Sequence, residues 1–104
     1  MNLSASFGSG RLTVFLKGEL DHHAAKPLIG GILELIDEYM PRECVLELGG
    51  LTFMDSSGIA VIINACKKMR TLGGRIMVEN APEQARKVLE ASGVDRLLSA
   101  AMSI

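Results

Sequence analysis

A chain of 104 residues, 48% of them apolar, has the length and apolar content of one domain with one core. The net charge is −1 and the Lys and Arg residues are scattered, which argues against a nucleic-acid groove. The first residues do not read as a signal peptide, and the longest apolar run, 59–63, is far below the roughly 18 residues of a membrane span. We therefore expect a single domain over 1–104, soluble and cytoplasmic, without direct contact to nucleic acid or membrane.

The first residues predict a β-hairpin. Residues 3–7 alternate weakly between apolar and polar side chains, and Gly8-Ser9-Gly10 is typical of a turn. Residues 11–20 alternate more clearly and predict the partner strand, with Phe15 on a second face that should be partly covered.

A helix should follow the hairpin. Asp21 is a candidate N-cap, and apolar residues recur after it at helical spacing. Pro27 lacks the N–H that an interior helical residue donates, so we expect a turn over 22–25 and a regular helix from near Lys26. Pro41 should end this helix.

Strands and helices should alternate through the middle of the chain. Residues 43–48 predict a short strand, Gly49-Gly50 a turn, and 51–54 a second apolar run. An amphipathic helix should follow and reach about Leu72, and residues 75–80 predict another strand.

The last helix should begin at a capping box. Asn80 is followed three residues later by Glu83, with Pro82 in the first turn, and Gly93 is a candidate C-cap. The segment 94–104 leaves room for one more short strand. The order ββαβαβα(β) predicts an α/β (α+β) fold, with a mixed sheet of four or five strands and helices packed on one side.

The cysteines and histidines do not predict a metal site. Cys44 and Cys66 lie within the apolar pattern, so each is expected to be a small buried hydrophobe without a disulfide. His22 and His23 adjoin each other, but no third ligand stands at a useful spacing. We expect no metal and no cofactor.

A polar cluster, Asp55-Ser56-Ser57-Gly58, separates the 51–54 run from the helix that follows. Ser and Asp are common N-caps, so the simplest interpretation is a strand-to-helix turn in which one of them is the cap. That interpretation leaves a spare hydroxyl without a role. A serine here should face unpaired backbone N–H groups and the positive end of the helix dipole.

Three segments also carry a resemblance to a known family. The segments are GELDHH at 18–23, LTFMDSSGI at 51–59 and LGGRIMVENAPEQARKVLEASGVDRLL at 72–98. They resemble the anti-sigma factor antagonists, which have the STAS fold. The resemblance is strongest to the anti-sigma F factor antagonists of sporulation, and it covers most of the chain. Relatives usually continue past the position of Ile104 into a final helix, so we expect that helix to be missing or shortened.

The resemblance implies a regulatory function. In that family the first serine after the aspartate, here Ser56, is phosphorylated by an anti-sigma factor that is also a serine kinase. The unphosphorylated protein binds this kinase and frees a sigma factor, and a metal-dependent, PP2C-type phosphatase reverses the modification. The partner-facing surface would include Asp21, Asp55, Ser56, Ser57 and Gly58, although Asp21 could equally be only a helix cap. The resemblance further implies a monomer or weak dimer without enzymatic activity.

Two alternatives remain open. A STAS module could serve a stress-signalling complex or another sigma factor. Ser56 with His22 or His23 and Asp21 could instead form the triad of a small hydrolase. Against a hydrolase, MDSSG lacks the leading glycine of the G-x-S-x-G nucleophile elbow, and Asp21 is bonded directly to His22 in sequence.

Overall fold

Strands and helices alternate in the order that the apolar pattern predicts. The structure, a computed structural model, describes residues 1–94, 96 and 98. Its elements are β1 (Asn2–Gly8), β2 (Arg11–Leu20), α1 (His22–Tyr39), β3 (Glu43–Met54), α2 (Ser57–Thr71), β4 (Arg75–Glu79) and α3 (Glu83–Ser92). No helix in these residues combines the length and hydropathy of a membrane span.

The four strands form one mixed sheet in the order β1-β2-β3-β4. β1 pairs with β2 in antiparallel fashion, as the hairpin predicts, whereas β2–β3 and β3–β4 are parallel. Parallel neighbours require a crossover, and α1 and α2 provide the two that this sheet needs. The carboxyl ends of β2 and β3 therefore lie at the same edge of the sheet, and a helix begins directly after each.

One apolar cluster joins one face of the sheet to all three helices. It contains alternating residues of three strands and the buried positions of the helices: Leu12, Val14, Leu16, Cys44, Leu46, Ile76 and Val78 from β2 to β4, and Leu28, Ile32, Ile36, Val61, Ile62, Ala65, Cys66, Met69, Ala85 and Leu89 from the helices. Burial raises the pKa of the Cys44 thiol to about 12, and both cysteines are free. The prediction that the cysteines are small buried hydrophobes is confirmed.

The turn expected over 22–25 is wrong, because these residues already belong to α1. Asp21 is the N-cap, and its Oδ1 accepts hydrogen bonds from the N–H of His23 at 3.1 Å and of Ala24 at 3.0 Å. Pro27 lies in the second turn, where its missing N–H deprives only the His23 carbonyl of a helical donor. The side-chain cap stabilises the first turn, and the helix tolerates the proline.

The turn expected at Gly49-Gly50 is also wrong, because β3 continues through both glycines. The register with β2 steps from Phe15 opposite Glu47 to Lys17 opposite Gly50, so β3 takes up an extra residue as a bulge. A Cβ on Gly50 would lie 2.5 Å from Cγ of Lys17. The glycines therefore let two strands approach closely instead of reversing the chain.

The capping box expected from Asn80 does not form. α3 begins at Glu83 with Pro82 as its N-cap and no side-chain cap, while the Asn80 amide donates to Oε2 of Glu47 at 2.6 Å. Asn80 itself has φ of 56°, which takes it out of the helix. Gly93 ends α3 with φ of 78°, as predicted.

The strand left open over 94–104 is absent wherever the structure describes that segment. Val94, Arg96 and Leu98 are helical. Residues 95, 97 and 99–104 lie outside the described residues, and so does the expectation of a missing or shortened final helix.

Candidate functional site

The Ser56 loop, residues 55–58, lies beside the start of α1 at one edge of the sheet. Leu20 and Met54 are register partners at the carboxyl ends of β2 and β3, and the Asp55 N–H donates to the Leu20 carbonyl at 3.2 Å. Asp21 and the loop therefore follow neighbouring strands, and the N-termini of α1 and α2 face the same edge. The sheet topology brings together the two polar segments that the sequence analysis singled out.

Asp55 is the side chain that caps α2. Its Oδ1 accepts a hydrogen bond from the Ser57 N–H at 2.8 Å. Ser56 occupies the N-cap position by backbone geometry, but its side chain makes no capping hydrogen bond, and it is exposed. Neither the Ser56 nor the Ser57 hydroxyl has a hydrogen-bond partner in the described residues, but Ser56 is exposed whereas Ser57 is half-buried, so Ser56 is the accessible hydroxyl.

The first N–H groups of α2 are already hydrogen-bonded, contrary to the expectation that they are unpaired. Besides the Ser57 N–H, the Gly58 N–H donates to the Asp55 carbonyl at 3.0 Å and the Ile59 N–H to the Ser56 carbonyl at 3.1 Å. These N–H groups already donate to oxygen atoms of the loop, so they would not be available to a phosphate on Ser56. The phosphate would therefore project towards solvent instead of folding into the loop.

Asp21 is the corresponding cap of α1. Its hydrogen bond from the Ala24 N–H lowers its pKa below the ordinary value of 3.8, with a further contribution from the His23 N–H. Because the pKa is lower in the folded state, the ionised carboxylate stabilises the fold above the unfolded pKa. This contribution is lost as the pH falls through the folded pKa.

Substitution of Asp21 by Ala should therefore lower the melting temperature at pH 7, because the cap is lost. The difference between wild type and Asp21→Ala should shrink as the pH falls below the ordinary value of 3.8 and through the lower folded pKa, because the carboxylate is then protonated in both states. Thermal melting of both proteins between pH 2 and pH 7 measures this difference, with Asp21→Asn as a control that keeps a neutral acceptor. A difference that does not change with pH would contradict the role of the charge.

Gly58 is buried where α2 packs onto the end of the sheet. A Cβ at this position would lie 2.5 Å from Cγ and 2.6 Å from Sδ of Met54, and 3.1 Å from Cδ2 of Leu20. Both neighbours are at most 1% exposed, so neither has free space to move into. Gly58 is therefore a packing residue behind the loop, and its contribution to partner binding would be indirect.

Gly58→Ala should reduce the free energy of unfolding by about 1–2 kcal/mol. Overpacking costs about 1–3 kcal/mol, which outweighs the helix preference of Ala over Gly of up to about 1 kcal/mol. Gly30→Ala is the matched control, since Gly30 is exposed within α1 and its Cβ would meet nothing within 4 Å. Urea denaturation should show Gly30→Ala to be stabilised; equal stabilisation of both variants would refute the packing argument.

Gln84 holds the end of β3 in place, a role that the sequence analysis missed. β4 pairs with β3 only as far as Glu79 opposite Glu47, so Met54 has no neighbouring strand on that side. The Gln84 amide takes that place: Oε1 accepts from the Met54 N–H and Nε2 donates to the Met54 carbonyl, each at 2.8 Å. Nothing in the sequence indicates this contact, because the two residues are 30 positions apart.

Phe53 is a second residue that the sequence analysis missed. It lies in the LTFM run at 51–54, yet it is 41% exposed while Leu51 and Met54 are buried. The β2–β3 register steps from Gly18 opposite Leu51 to Glu19 opposite Phe53, and this irregularity interrupts the alternation. An exposed aromatic ring thus lies three residues before Ser56.

The geometry does not support a hydrolase triad. The Asp21 carboxylate accepts backbone N–H groups of its own helix, and the Ser56 hydroxyl has no histidine partner. The exposed rings of His22 and His23 contact each other, with centroids 4.0 Å apart. Among the described residues, no group of three or more His, Cys, Asp or Glu side chains could hold a metal ion.

Comparison with known proteins gives one consistent result. Residues 3–104 match the profile of the STAS domain. An anti-sigma F factor antagonist of Paenibacillus polymyxa is 35% identical over 89 residues, which cover 86% of this chain and 76% of the relative. The fold matches the anti-sigma factor antagonist SpoIIAA in its unphosphorylated form with a TM-score of 0.80, at 26% identity over 98% of this chain and 86% of that one. For the phosphorylated form of SpoIIAA, from Bacillus, the TM-score is 0.72 at 26% identity, over 98% and 89% of the two chains.

Proposed function

Since this chain belongs to the STAS domain family, and within it to the anti-sigma factor antagonists, we propose that its unphosphorylated form binds an anti-sigma factor and releases a sigma factor. It is a regulatory protein and not an enzyme. The observation that carries the proposal is the exposed, unbonded hydroxyl of Ser56 at the sheet edge where α1 and α2 begin.

Ser56 is the proposed phosphorylation site. Asp55 caps α2, so the Ser56 hydroxyl has no structural task and is exposed to a kinase. Ser57 is only half-exposed, and its N–H is the group that Asp55 binds. The kinase is proposed to be the anti-sigma factor itself, and a PP2C-type phosphatase would restore the free hydroxyl.

The proposed mechanism is electrostatic. A phosphate adds about −1.5 to −2 charges at pH 7. Asp21 and Asp55 already place two carboxylates at this edge, so modification would concentrate negative charge on the docking surface. Because the amides of the first turn of α2 are occupied, the phosphate gains no new backbone partners that would rearrange the loop. The modification would then weaken docking and leave the fold unchanged.

The proposed contact surface is built around the Ser56 loop. It includes Asp21 and the exposed ring of Phe53, which can supply the apolar contact typical of a binding hot spot. Gly58 contributes to this surface by fixing the backbone of the loop, not by contact, because it is buried. Asp21→Ala should weaken the complex and keep the acceptor hydroxyl.

The test is phosphorylation by the partner. Incubation with the anti-sigma factor kinase of the same organism and ATP should add one phosphate per chain, and mass spectrometry should locate it on Ser56. Ser57→Ala should accept the phosphate as the wild type does, whereas Ser56→Ala should not. Phosphate found on Ser57 would overturn the assignment.

A further inference from the structure

Two arginines flank one glutamate where the parallel strands begin. Arg11, Glu43 and Arg75 are direct register partners across β2, β3 and β4. Nη2 of Arg11 lies 3.2 Å from Oε1 of Glu43, and Nη2 of Arg75 lies 3.0 Å from its Oε2. The hydrogen bonds from Arg75 and Arg11 hold the pKa of Glu43 below its usual 4.5, so this row carries one negative and two positive charges.

Arg42 adds a positive charge that no described carboxylate neutralises. Its backbone N–H donates to the Gly10 carbonyl at 2.9 Å, and its carbonyl accepts the Arg75 N–H at 2.9 Å, so it lies between the two. A Cβ on Gly10 would be 2.9 Å from Nε and 3.1 Å from Nη2 of Arg42, which places the guanidinium against the β1–β2 turn. The Arg42 side chain makes no hydrogen bond or ion pair with any described residue.

Arg42, Glu43 and Arg75 line a groove of about 450 Å³, together with Ser9, Gly10 and Gly73. The three turn residues have left-handed backbones, with φ of 53°, 78° and 69°, and present little side chain to the groove. The groove lies at the amino ends of β3 and β4, whereas the Ser56 loop follows the carboxyl end of β3. The whole chain has a charge of −1, so the surplus positive charge is local to this end.

We propose that this arginine groove binds a small phosphate-class oxyanion between Arg42 and Arg75. A guanidinium has five N–H donors, so Arg75 keeps donors for a ligand while one of its nitrogens serves Glu43. Its planar fork matches the oxygens of a phosphate, to which it can donate two parallel hydrogen bonds. The ligand is either inorganic phosphate or the phosphate group of a small ester, and the site does not depend on the proposed function of Ser56.

Titration of the unphosphorylated protein with inorganic phosphate, at constant ionic strength against chloride, tests this proposal. Backbone amide shifts in NMR spectra should change in a saturable way at Gly10, Glu43 and Gly73. Arg42→Ala should reduce the affinity about tenfold, as expected for the loss of a charged hydrogen-bonding partner. Arg86→Ala is the matched control. Arg86 is an exposed arginine on α3, so this substitution removes the same charge outside the groove.

Several results would overturn the proposal. Shifts confined to residues 57–59 would place the anion at the start of α2, and linear shifts without saturation would show that phosphate has no specific site. Equal weakening by Arg42→Ala and Arg86→Ala would show that net charge alone is responsible. Among positive results, tighter binding of glycerol 3-phosphate than of inorganic phosphate would support an ester as the ligand, and equal binding would support free phosphate. Arg42→Ala should melt like the wild type, since its side chain has no partner to lose.

Discussion

Ser56→Asp should bind the anti-sigma factor at least about tenfold more weakly than the wild-type protein and melt at nearly the same temperature. A tenfold loss corresponds to about 1.4 kcal/mol, a modest penalty for desolvating an added carboxylate beside Asp21 and Asp55. The fold should tolerate the charge, because a carboxylate at a helix N-terminus is favourable by about 0.3–1 kcal/mol. Calorimetric titration and thermal melting of the same preparation measure both quantities.

Two alanine variants distinguish the proposed phosphorylation site, Ser56, from Asp55, whose side chain caps α2. Ser56→Ala should bind constitutively and lose much less than about 1 kcal/mol of stability, because its hydroxyl makes no hydrogen bond. Asp55→Ala should lose about 1 kcal/mol, the usual value of a side-chain N-cap. If Ser56→Ala proved the less stable of the two, the assignment of the cap to Asp55 would be wrong.

Gln84→Ala should reduce the free energy of unfolding by about 1–3 kcal/mol, although Gln84 is an exposed residue. Its loss leaves the N–H and the carbonyl of Met54 without partners, and Met54 is fully buried. Because Asp55 is the next residue, the Ser56 loop should also become more mobile. Hydrogen exchange should be faster at the Met54 amide, and affinity for the anti-sigma factor should fall.

The neighbouring Glu83→Ala is the control for this experiment. Glu83 lies in the same turn of α3 and makes only an exposed ion pair with Lys87 at 3.8 Å, so its loss should change stability by less than about 0.5 kcal/mol. Gln84→Glu provides a second comparison, because it keeps an acceptor for the Met54 N–H but sets a carboxylate oxygen against the Met54 carbonyl. Unchanged exchange at Met54 in both Gln84 variants would show that the contact has no structural role.

Much of the fold follows from local patterns in the sequence. The alternation over 11–20 predicted β2 and its buried face, and the apolar spacing predicted an amphipathic helix that reaches about Leu72, which is α2. These patterns are reliable because side-chain direction repeats with a fixed period in each type of element. Spacing also predicted a cap at residues 55–57, whereas the choice of Ser56 as the phosphorylation site came from the family resemblance alone.

The features that the sequence did not predict depend on contacts between distant residues. Gly49-Gly50 has the composition of a turn, and only the closeness of Lys17 explains why glycine is needed within a strand. Pro27 seemed to exclude a helix start at residue 22, but a side-chain cap offsets the lost hydrogen bond. Gln84 has no local signal, since its partner is a backbone group of another element.

The affinity of the Ser56-phosphorylated protein for the anti-sigma factor tests the central claim most directly. Protein phosphorylated to completion and unphosphorylated protein should be compared by calorimetric titration, with NMR amide shifts recorded for both. We predict that phosphorylation lowers the affinity at least as much as Ser56→Asp and shifts only amides near the Ser56 loop. Equal affinity of the two forms, or loss of binding accompanied by shifts throughout the sheet, would contradict an electrostatic switch on an unchanged fold.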